Sequence, residues 1–299
     1  MQMRGNLLLL TAAFLWGTTF VAQQVGMDEL GPFTYAAARF LLGILFLFGL
    51  WHMDSPKRRS RIKRGLHHSG WLAGLGSGVF LFAASSLQQV ALQFTSVGKT
   101  SFITALYIVL VPLGAALFRL GKVYAVNWLG ALLAVCGLYF LTIQDSLVLN
   151  FGDMLVALSA LGWTAQILFI DRFAPHVDAL ELSLSQTILC FAGSLIAALA
   201  TEEIALIPIL NAWVAIAYAG ILSTGVAFTL QIVGQKYAAP SEAAVIMSFE
   251  AVFGALGGYL ILNENLTAAQ LTGCALMCAG VIVSQLRTIL KKHPTPQAQ

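Results

Sequence analysis

The amino-acid sequence predicts an all-α integral membrane protein of ten transmembrane helices, built as two inverted five-helix repeats. Three observations predict this class: the composition, the apolar runs and the placement of the basic residues. Of the 299 residues, 59% are hydrophobic and only 10% are charged, whereas soluble domains carry about 25% charged residues. A soluble fold of this size could not bury so much apolar surface. The expected solvent is therefore a bilayer, which about 20 apolar residues suffice to cross.

The apolar runs are numerous enough for ten membrane crossings. Runs between charged or turn-forming residues predict spans at 6–25, 33–52, 70–92, 95–118, 125–143, 152–170, 180–200, 208–234, 240–262 and 268–287. The first run, MQMRGNLLLLTAAFLW, resembles a secretory signal, but its apolar stretch continues to Val25 without a small-residue cleavage pattern. We therefore expect an uncleaved first membrane helix.

The basic residues are confined almost entirely to one side of these spans. If the N-terminus is cytoplasmic, 14 of the 16 lysines and arginines fall on the inner side and none falls in an outer loop. Because membrane proteins retain lysine and arginine on the cytoplasmic side, we expect a multi-pass protein of the cytoplasmic (inner) membrane with both termini in the cytoplasm. The two remaining cations, Arg39 and Lys99, lie within spans and towards the outer side.

The longest basic run, KRRSRIKR at 57–64, is explained as a topology anchor that also attracts anionic lipids. It is short and has no folded module around it, so we expect no nucleic-acid partner. The expected partners are the lipid bilayer and a small-molecule substrate.

The two halves of the chain repeat one another. The segment LQQVALQF at 87–94 matches LQIVGQKY at 230–237, which is an offset of 143 in the numbering. That offset also pairs Gly130 with Gly273 and Gly137 with Gly280, and an offset of 147 pairs Gly5 with Gly152 and Trp16 with Trp163. Because five is an odd number of spans, the second unit must enter the membrane from the opposite side, as in many secondary transporters. We expect one repeat over 1–145, an inverted one over 146–290 and a short cytoplasmic tail at 291–299.

The segments LLTAAFLWGTTFVA, AARFLLGILFL and LQFTSVGKTSFITALYIVLVPLGAALF resemble the first half of an EamA-type transporter of the drug/metabolite transporter superfamily. The segment LNENLTAAQLTGCALMCAGVIV is similar to the closing signature of that family. The resemblance covers nearly the whole chain and implies a ten-helix fold that alternates access to a central cavity. Relatives move amino acids, purines, nucleotide sugars, sugar phosphates and other metabolites, so it implies a class and no single substrate. Gly121 stands where the second half has Glu264, so that glutamate should have no symmetric role.

Glu250 is the main candidate among the charged residues within spans. It lies about 15 Å from the inner end of the ninth span, at about 1.5 Å per residue, and so near the middle of a core about 30 Å thick. Loss of hydration at this depth favours the protonated carboxyl group, so Glu250 could hold a coupling proton or act as counter-ion to a cationic substrate. A carboxyl group bonded to a neighbouring helix is the structural alternative. Tyr107, its counterpart in the fourth span, could line the opposite wall.

Lys99 belongs to the tripeptide GKT at 98–100, which resembles the end of a phosphate-binding loop, but Gln93 occupies the position of that motif's first glycine. Its charge opposes both the positive-inside rule and the positive end of its own helix dipole. An anion-binding or gating role would explain this placement, and snorkelling to headgroups is the alternative. Glu242, its counterpart in the ninth span, is a gating or coupling candidate, although an acid after a proline is also typical of an ordinary helix start.

Arg39 lies about two turns into the second span, in the segment ARF. It could act as a gate, or as an anchor that pairs with Asp28 or Glu29 or reaches the headgroups.

Neutral side chains could complete a substrate cavity. Trp16 and Trp163 form a symmetric pair of flat walls, although packing between helices explains them equally well. The polar candidates are Gln88 and its counterpart Gln231, together with Gln23, Gln24, Gln166, Thr18 and Thr104. Any one of these could instead bond neighbouring helices, as polar side chains in membranes often do.

These features favour a secondary active transporter that moves an amino acid, nucleobase or related organic molecule by alternating access, as an exporter or exchanger, with protons as a candidate coupling ion. A flippase for lipid headgroups or lipid-linked substrates is the alternative. A membrane-embedded enzyme is disfavoured, because the loops are short and hold no paired carboxylates or His/Asp cluster. The four cysteines lie in apolar runs without CxxC spacing and the histidines lack ligand spacing, so we expect no disulfide, metal site or cofactor.

Overall fold

The computed structural model describes residues 2–27, 30–53, 70–95, 100, 103–120, 123–142, 150–261 and 267–291. Within these ranges the chain forms helices and turns, with no β-strand. The α-helices are α1 (Gln2–Met27), α2 (Pro32–Met53), α3 (Gly70–Ala91), α4 (Tyr107–Leu117), α5 (Ala125–Thr142), α6 (Phe151–Phe173), α7 (Ala179–Thr201), α8 (Leu206–Asn211), α9 (Trp213–Ala217), α10 (Phe228–Gln235), α11 (Pro240–Met247), α12 (Glu250–Ile261) and α13 (Ala268–Lys291). The predicted helical class is confirmed.

Apolar helices account for the predicted membrane character. Among the described residues, five helical stretches are long and apolar enough to cross a bilayer by length and composition: Pro32–Met53, Gly70–Ala91, Phe151–His176, Ala179–Thr201 and Trp213–Gln235. Shorter apolar helices cover Tyr107–Leu117, Ala125–Phe140 and Ala268–Ser284. Every predicted span thus contains helix, but several are not single straight helices.

The predicted ninth span, 240–262, is broken between α11 and α12. Phe249 N donates to Ile246 O at 3.2 Å and Ala251 N donates to Ser248 O at 3.1 Å, the tighter spacing of a 3₁₀ turn. In the predicted fourth span, the same spacing occurs where Ile108 N donates to Ala105 O at 2.9 Å. The two breaks, at 105–106 and 248–249, are related by the same offset of 143 that the repeated segments show. Each break lies directly before a polar residue, Tyr107 or Glu250.

The predicted eighth span, 208–234, contains a wider helix. Residues Tyr218–Ala227 form a π-helical segment between α9 and α10. Its glycines allow close packing against α2, since a Cβ atom at Gly220 would lie 2.7 Å from Arg39 O. A Cβ atom at Gly225 would lie 2.5 Å from the ring of Phe46. π-Helical turns inside α-helices are frequent at functional sites.

Helices α5 and α13 cross where each helix has glycine residues at the contact. A Cβ atom at Gly130 would lie 2.7 Å from Gly280 O, and one at Gly280 would lie 2.7 Å from Gly130 O. Further along the same crossing, a Cβ atom at Gly137 would lie 2.6 Å from Gly273 O. Only residues without a side chain permit this approach, which is how small residues bring membrane helices into contact.

The beginnings of α1 and α6 pack in matching ways. A Cβ atom at Gly5 would lie 2.7 Å from the Cβ atom of Tyr237, and one at Gly152 would lie 2.9 Å from the Cβ atom of Phe94. Tyr237 and Phe94 are the last residues of the two repeated segments and so are counterparts of each other. The contact between the start of α1 and the end of α10 therefore has a counterpart between α6 and the end of α3.

Local caps fix where two helices begin. The Asn150 side chain accepts from Asp153 N at 2.9 Å while the Asp153 carboxylate accepts from Asn150 N at 3.0 Å, a capping box at the start of α6. The Asp178 carboxylate accepts from Leu180 N at 3.0 Å and from Glu181 N at 3.2 Å at the start of α7.

The start of α2 is capped from another helix. Glu202, the residue that ends α7, accepts hydrogen bonds from Phe33 N at 2.8 Å, Thr34 N at 2.8 Å and Thr34 Oγ1 at 2.7 Å. A carboxylate is favoured here because the first amide groups of a helix have no acceptor within the helix and carry its positive dipole end. Glu202 thereby joins α7 to α2.

We expect Glu202→Ala to lower the free energy of unfolding by about 1–2 kcal/mol, the usual cost of removing a helix cap. The matched control is Glu203→Ala, which removes the same charge from the exposed neighbouring position. Denaturant titration of both purified variants measures the difference. Equal stability of the two variants would contradict a capping role for Glu202.

Candidate functional site

A cavity lies within the helix bundle. Its walls combine aromatic, amide, hydroxyl and charged side chains. The lining residues are Trp16, Thr19, Phe20, Gln23, Arg39, Gln88, Thr104, Tyr107, Trp163, Ile167, Ser223, Phe228, Gln231, Met247 and Glu250. They come from both halves of the chain. Pockets that bind small molecules combine apolar walls and a few placed polar groups in this way.

Glu250 and Tyr107 meet across the cavity. The Tyr107 hydroxyl donates to Glu250 Oε1 at 3.2 Å, and the two side chains are only 4% (Tyr107) and 7% (Glu250) exposed. Each stands at the first residue of a helix that follows a break, α4 for Tyr107 and α12 for Glu250. The two halves are thus joined by one hydrogen bond in the middle of the bundle.

The amide side chains bond to neighbouring helices and also face the cavity. Gln88 Nε2 donates to Thr104 Oγ1 at 2.8 Å. Gln231 and Gln166 exchange two hydrogen bonds, with Gln231 Nε2 donating to Gln166 Oε1 at 3.1 Å and Gln166 Nε2 donating to Gln231 Oε1 at 3.3 Å. Gln88 and Gln231 therefore already have anchors, which hold them in defined orientations.

Trp16 and Trp163 lie on either side of Phe228. The ring centroids of Trp16 and Phe228 are 5.1 Å apart, and those of Trp163 and Phe228 are 6.4 Å apart with nearly parallel planes, at 14°. Distances and angles of this kind are those of attractive aromatic pairs. The three rings form an apolar wall in which the plane of Trp16 is inclined at 57° to that of Phe228.

Arg39 lies inside the bundle and lines the cavity. Its side chain is 6% exposed. The guanidinium carbon lies 4.9 Å from the ring centre of Phe40 and 5.9 Å from that of Tyr35, within the range of cation–π attraction. The Nε atom has no hydrogen-bond partner among the described residues. Asp28 and Glu29, the acids considered as its partners, lie outside those residues.

The two remaining candidates are placed differently. Glu242 stands in the first turn of α11 and accepts from Gln2 Nε2 at 2.8 Å, so it ties the start of α11 to the start of α1 and is not among the cavity-lining residues. Lys99 lies outside the described residues.

Some lining residues were not identified from the sequence, namely Thr19, Phe20, Ile167, Ser223, Phe228 and Met247. The repeat offsets could have indicated two of them, because Met247 is the counterpart of Thr104 and Thr19 is the counterpart of Gln166. Nothing in the sequence distinguishes Phe228 from the other phenylalanines of the apolar helices. Its position depends on the π-helical segment that precedes it.

The arrangement suits binding of a small organic molecule. The described lining offers an apolar aromatic wall, anchored amides, one carboxyl group and one guanidinium group. Among the described residues, no group of three or more His, Cys, Asp or Glu side chains is placed to hold a metal ion.

Comparison with known proteins agrees with this architecture. The family model of the EamA-like transporter family matches the chain twice, over residues 3–143 and 150–286. A solved crystal structure of 21% sequence identity superposes with a TM-score of 0.78, covering 97% of this chain and 99% of that one. At this identity the likeness shows a shared fold.

Two proteins of similar sequence are named as transporters. An uncharacterized transporter of Archaeoglobus fulgidus is 30% identical over 289 residues, covering 96% of this chain and 87% of that protein. The uncharacterized transporter YoaV of Bacillus subtilis is 23% identical over 289 residues, covering 92% of this chain and 94% of that protein. With family matches over both halves and these apolar helices, the chain belongs to the EamA-like transporter family of multi-pass membrane proteins.

Proposed function

We propose that the protein is a secondary active transporter that moves a small organic metabolite across the cytoplasmic membrane by exposing the central cavity to one side at a time. The observation that carries the proposal is the cavity itself, because its lining comes from both halves of the chain and is joined across the middle by Tyr107 and Glu250 at 3.2 Å. Rocking of one half against the other would open the cavity to either side, as in other transporters built from repeats.

Reciprocal contacts support two inverted repeats, over 1–145 and 146–290. Gly130 meets Gly280 while Gly137 meets Gly273, and the sequence offset makes Gly130 the counterpart of Gly273 and Gly137 that of Gly280. A two-fold axis produces this pattern, in which residue i contacts residue j and the counterparts of both also contact each other. The crossing of α5 and α13 therefore lies on the proposed axis.

The broken helices support a transport site at Glu250. Interrupted helices near the middle of the membrane commonly bind the substrate or the coupling ion, because their ends present unpaired backbone groups. Here both interruptions lie next to the cavity, directly before Tyr107 and Glu250. We propose that Glu250 carries the coupling proton and that substrate leaves the cell by export or exchange, with both chain termini in the cytoplasm.

Chemical labelling from each side tests alternating access. In a background with the four native cysteines replaced by alanine, Ser223→Cys places a thiol in the cavity wall, and Ser194→Cys places one at a fully buried site outside the lining. We expect a small membrane-impermeant methanethiosulfonate reagent to label Ser223→Cys in both right-side-out and inside-out vesicles. Ser194→Cys should react in neither.

The labelling rates also separate a transporter from a pore. In alternating access, a change of pH or temperature that raises the rate from one side should lower it from the other, because one conformation is populated at the expense of the other. Rates that rise and fall together, or reaction from one side only under all conditions, would refute the proposed mechanism.

A further inference from the structure

Three residues of the cavity lining carry a buried nitrogen donor that has no acceptor among the described residues. The atoms are Arg39 Nε, Trp16 Nε1 and Trp163 Nε1, each buried and without a hydrogen-bond partner among the described residues. The described lining contains one acceptor in the same condition, Gln23 Oε1. Buried donors are normally satisfied, so a cavity with this imbalance suits a ligand that brings acceptor oxygens.

Arg39 also brings a charge to the cavity that the described lining does not neutralise by a direct ion pair. Glu250, the acid of the described lining, bonds to Tyr107 instead, at 3.2 Å. Burying an isolated charge is costly unless it is paired. The faces of Phe40 and Tyr35 stabilise the guanidinium group, but aromatic rings supply no lone pair for its Nε–H group.

The second half of the chain indicates that helix packing does not require this charge. The same offset that pairs Trp16 with Trp163 makes Gln186 the counterpart of Arg39, and Gln186 accepts a hydrogen bond from Ser77 Oγ at 2.9 Å. Gln186 is absent from the lining, whereas Arg39 belongs to it. Of these two counterpart positions, the charged residue is therefore the one that lines the cavity.

We propose that the cavity binds an organic anion with a single carboxylate group, which Arg39 holds while the apolar body of the molecule lies against Trp16, Trp163 and Phe228. A guanidinium group binds a carboxylate with two parallel, charge-assisted hydrogen bonds, and the indole N–H groups supply further donors. One negative charge matches the one guanidinium group, and Glu250 in the same cavity disfavours a second. This proposal rests on the proposed function, since it takes the cavity as the transport site.

Matched pairs of acids and amides test the charge preference directly. Calorimetric titration of the purified, detergent-solubilised protein with benzoate and benzamide, phenylacetate and phenylacetamide, and 3-phenylpropionate and 3-phenylpropionamide compares ligands of nearly equal shape. We expect at least one acid to bind about tenfold more tightly than its amide, since charge-assisted hydrogen bonds are roughly twice as strong as neutral ones. At a pH at which phenylphosphonate is a dianion, it should bind more weakly than phenylacetate.

Substitutions then assign the preference to Arg39. Arg39→Gln, which places the side chain of the second half in the first, should abolish the preference for the acid over its amide. Arg39→Lys keeps the positive charge but lacks the planar guanidinium group with its paired N–H donors. It should therefore retain part of the preference for the acid over the amide. The control Arg172→Gln removes a charge from an exposed site and should bind as the wild type does.

Several outcomes would overturn the proposal. They are equal affinity for acids and amides in the wild-type protein, tighter binding of phenylphosphonate than of phenylacetate, and an acid preference that survives in Arg39→Gln. The wild-type titrations decide the matter even if Arg39→Gln fails to fold. The two experiments separate this proposal from the proposed function. If Ser223→Cys is labelled from both sides but acids bind no better than amides, only the proposed organic-anion ligand is refuted. If acids bind better than amides but labelling does not occur from both sides, only the proposed transport mechanism is refuted.

Discussion

Glu250→Gln is expected to remove the proton uptake that accompanies binding of phenylacetate. An anion held by Arg39 is repelled by an ionised carboxylate in the same cavity, so binding favours the protonated form of Glu250 and draws up to about one proton from solution. The affinity of the wild-type protein for phenylacetate should therefore rise as the pH falls, by as much as about tenfold per unit. Glutamine keeps the size of the side chain and an oxygen for the Tyr107 hydroxyl, but it does not titrate.

Calorimetry in buffers of different ionisation enthalpy measures this proton uptake. The other titratable groups of the described lining are Tyr107 and Arg39, and Tyr107→Phe is the matched control because it removes the hydrogen-bond partner and keeps the carboxyl group. We expect proton uptake in the wild-type protein and in Tyr107→Phe, and none in Glu250→Gln. Undiminished uptake in Glu250→Gln would remove this residue from the coupling mechanism.

Gly137→Ala is expected to destabilise the packing of α5 against α13. The added Cβ atom would lie 2.6 Å from Gly273 O and 2.8 Å from Met277 N, and neither backbone atom can move without separating α5 from α13. Overpacking of this kind costs about 1–3 kcal/mol. The free energy of unfolding, measured by titrating the micelle-bound protein with a denaturing detergent, should fall by that amount.

The matched control is Gly49→Ala in α2. A Cβ atom there would have no neighbour within 4 Å, and alanine is favoured over glycine within helices by about 1 kcal/mol. Gly49→Ala should therefore be neutral or stabilising. If both variants lost the same free energy of unfolding, the loss would be a general effect of replacing a helical glycine. The close approach of α5 and α13 at Gly137 would then not be its cause.

The sequence was sufficient to predict the helical class and many of the polar groups that line the cavity. Apolar runs of membrane-spanning length have few alternatives to helix, because unpaired backbone groups are costly in lipid. Polar residues within those runs, such as Glu250 and Gln231, stand out for the same reason. The two repeat offsets paired Tyr107 with Glu250 and Trp16 with Trp163 as counterparts.

The helix breaks could not be predicted in the same way. Neither Ser248 nor Phe249 is a glycine or proline, the residues that normally mark an interruption. The cap that Glu202 provides to α2 could not be predicted from the sequence either, since it depends on the distance between two helices that are remote in sequence. Arg39 was placed near the outer surface by its position along the span, but the direction of its side chain follows from packing of α2 against the π-helical segment.

In the described lining, the guanidinium group of Arg39 and the carboxyl group of Glu250 each occur once, and this has a consequence for how such a protein could be assembled. A homodimer of the first half would contain two copies of Arg39 and two of Tyr107 but would lack the carboxyl group of Glu250. A homodimer of the second half would oppose two copies of Glu250 and contain Gln186 in place of the guanidinium. Only a covalent fusion or an obligate heterodimer of the two halves brings one guanidinium group and one carboxyl group into the same cavity, where they can take different roles. Separately expressed halves should therefore restore function when they are mixed with each other. Neither half should restore function when it is expressed alone.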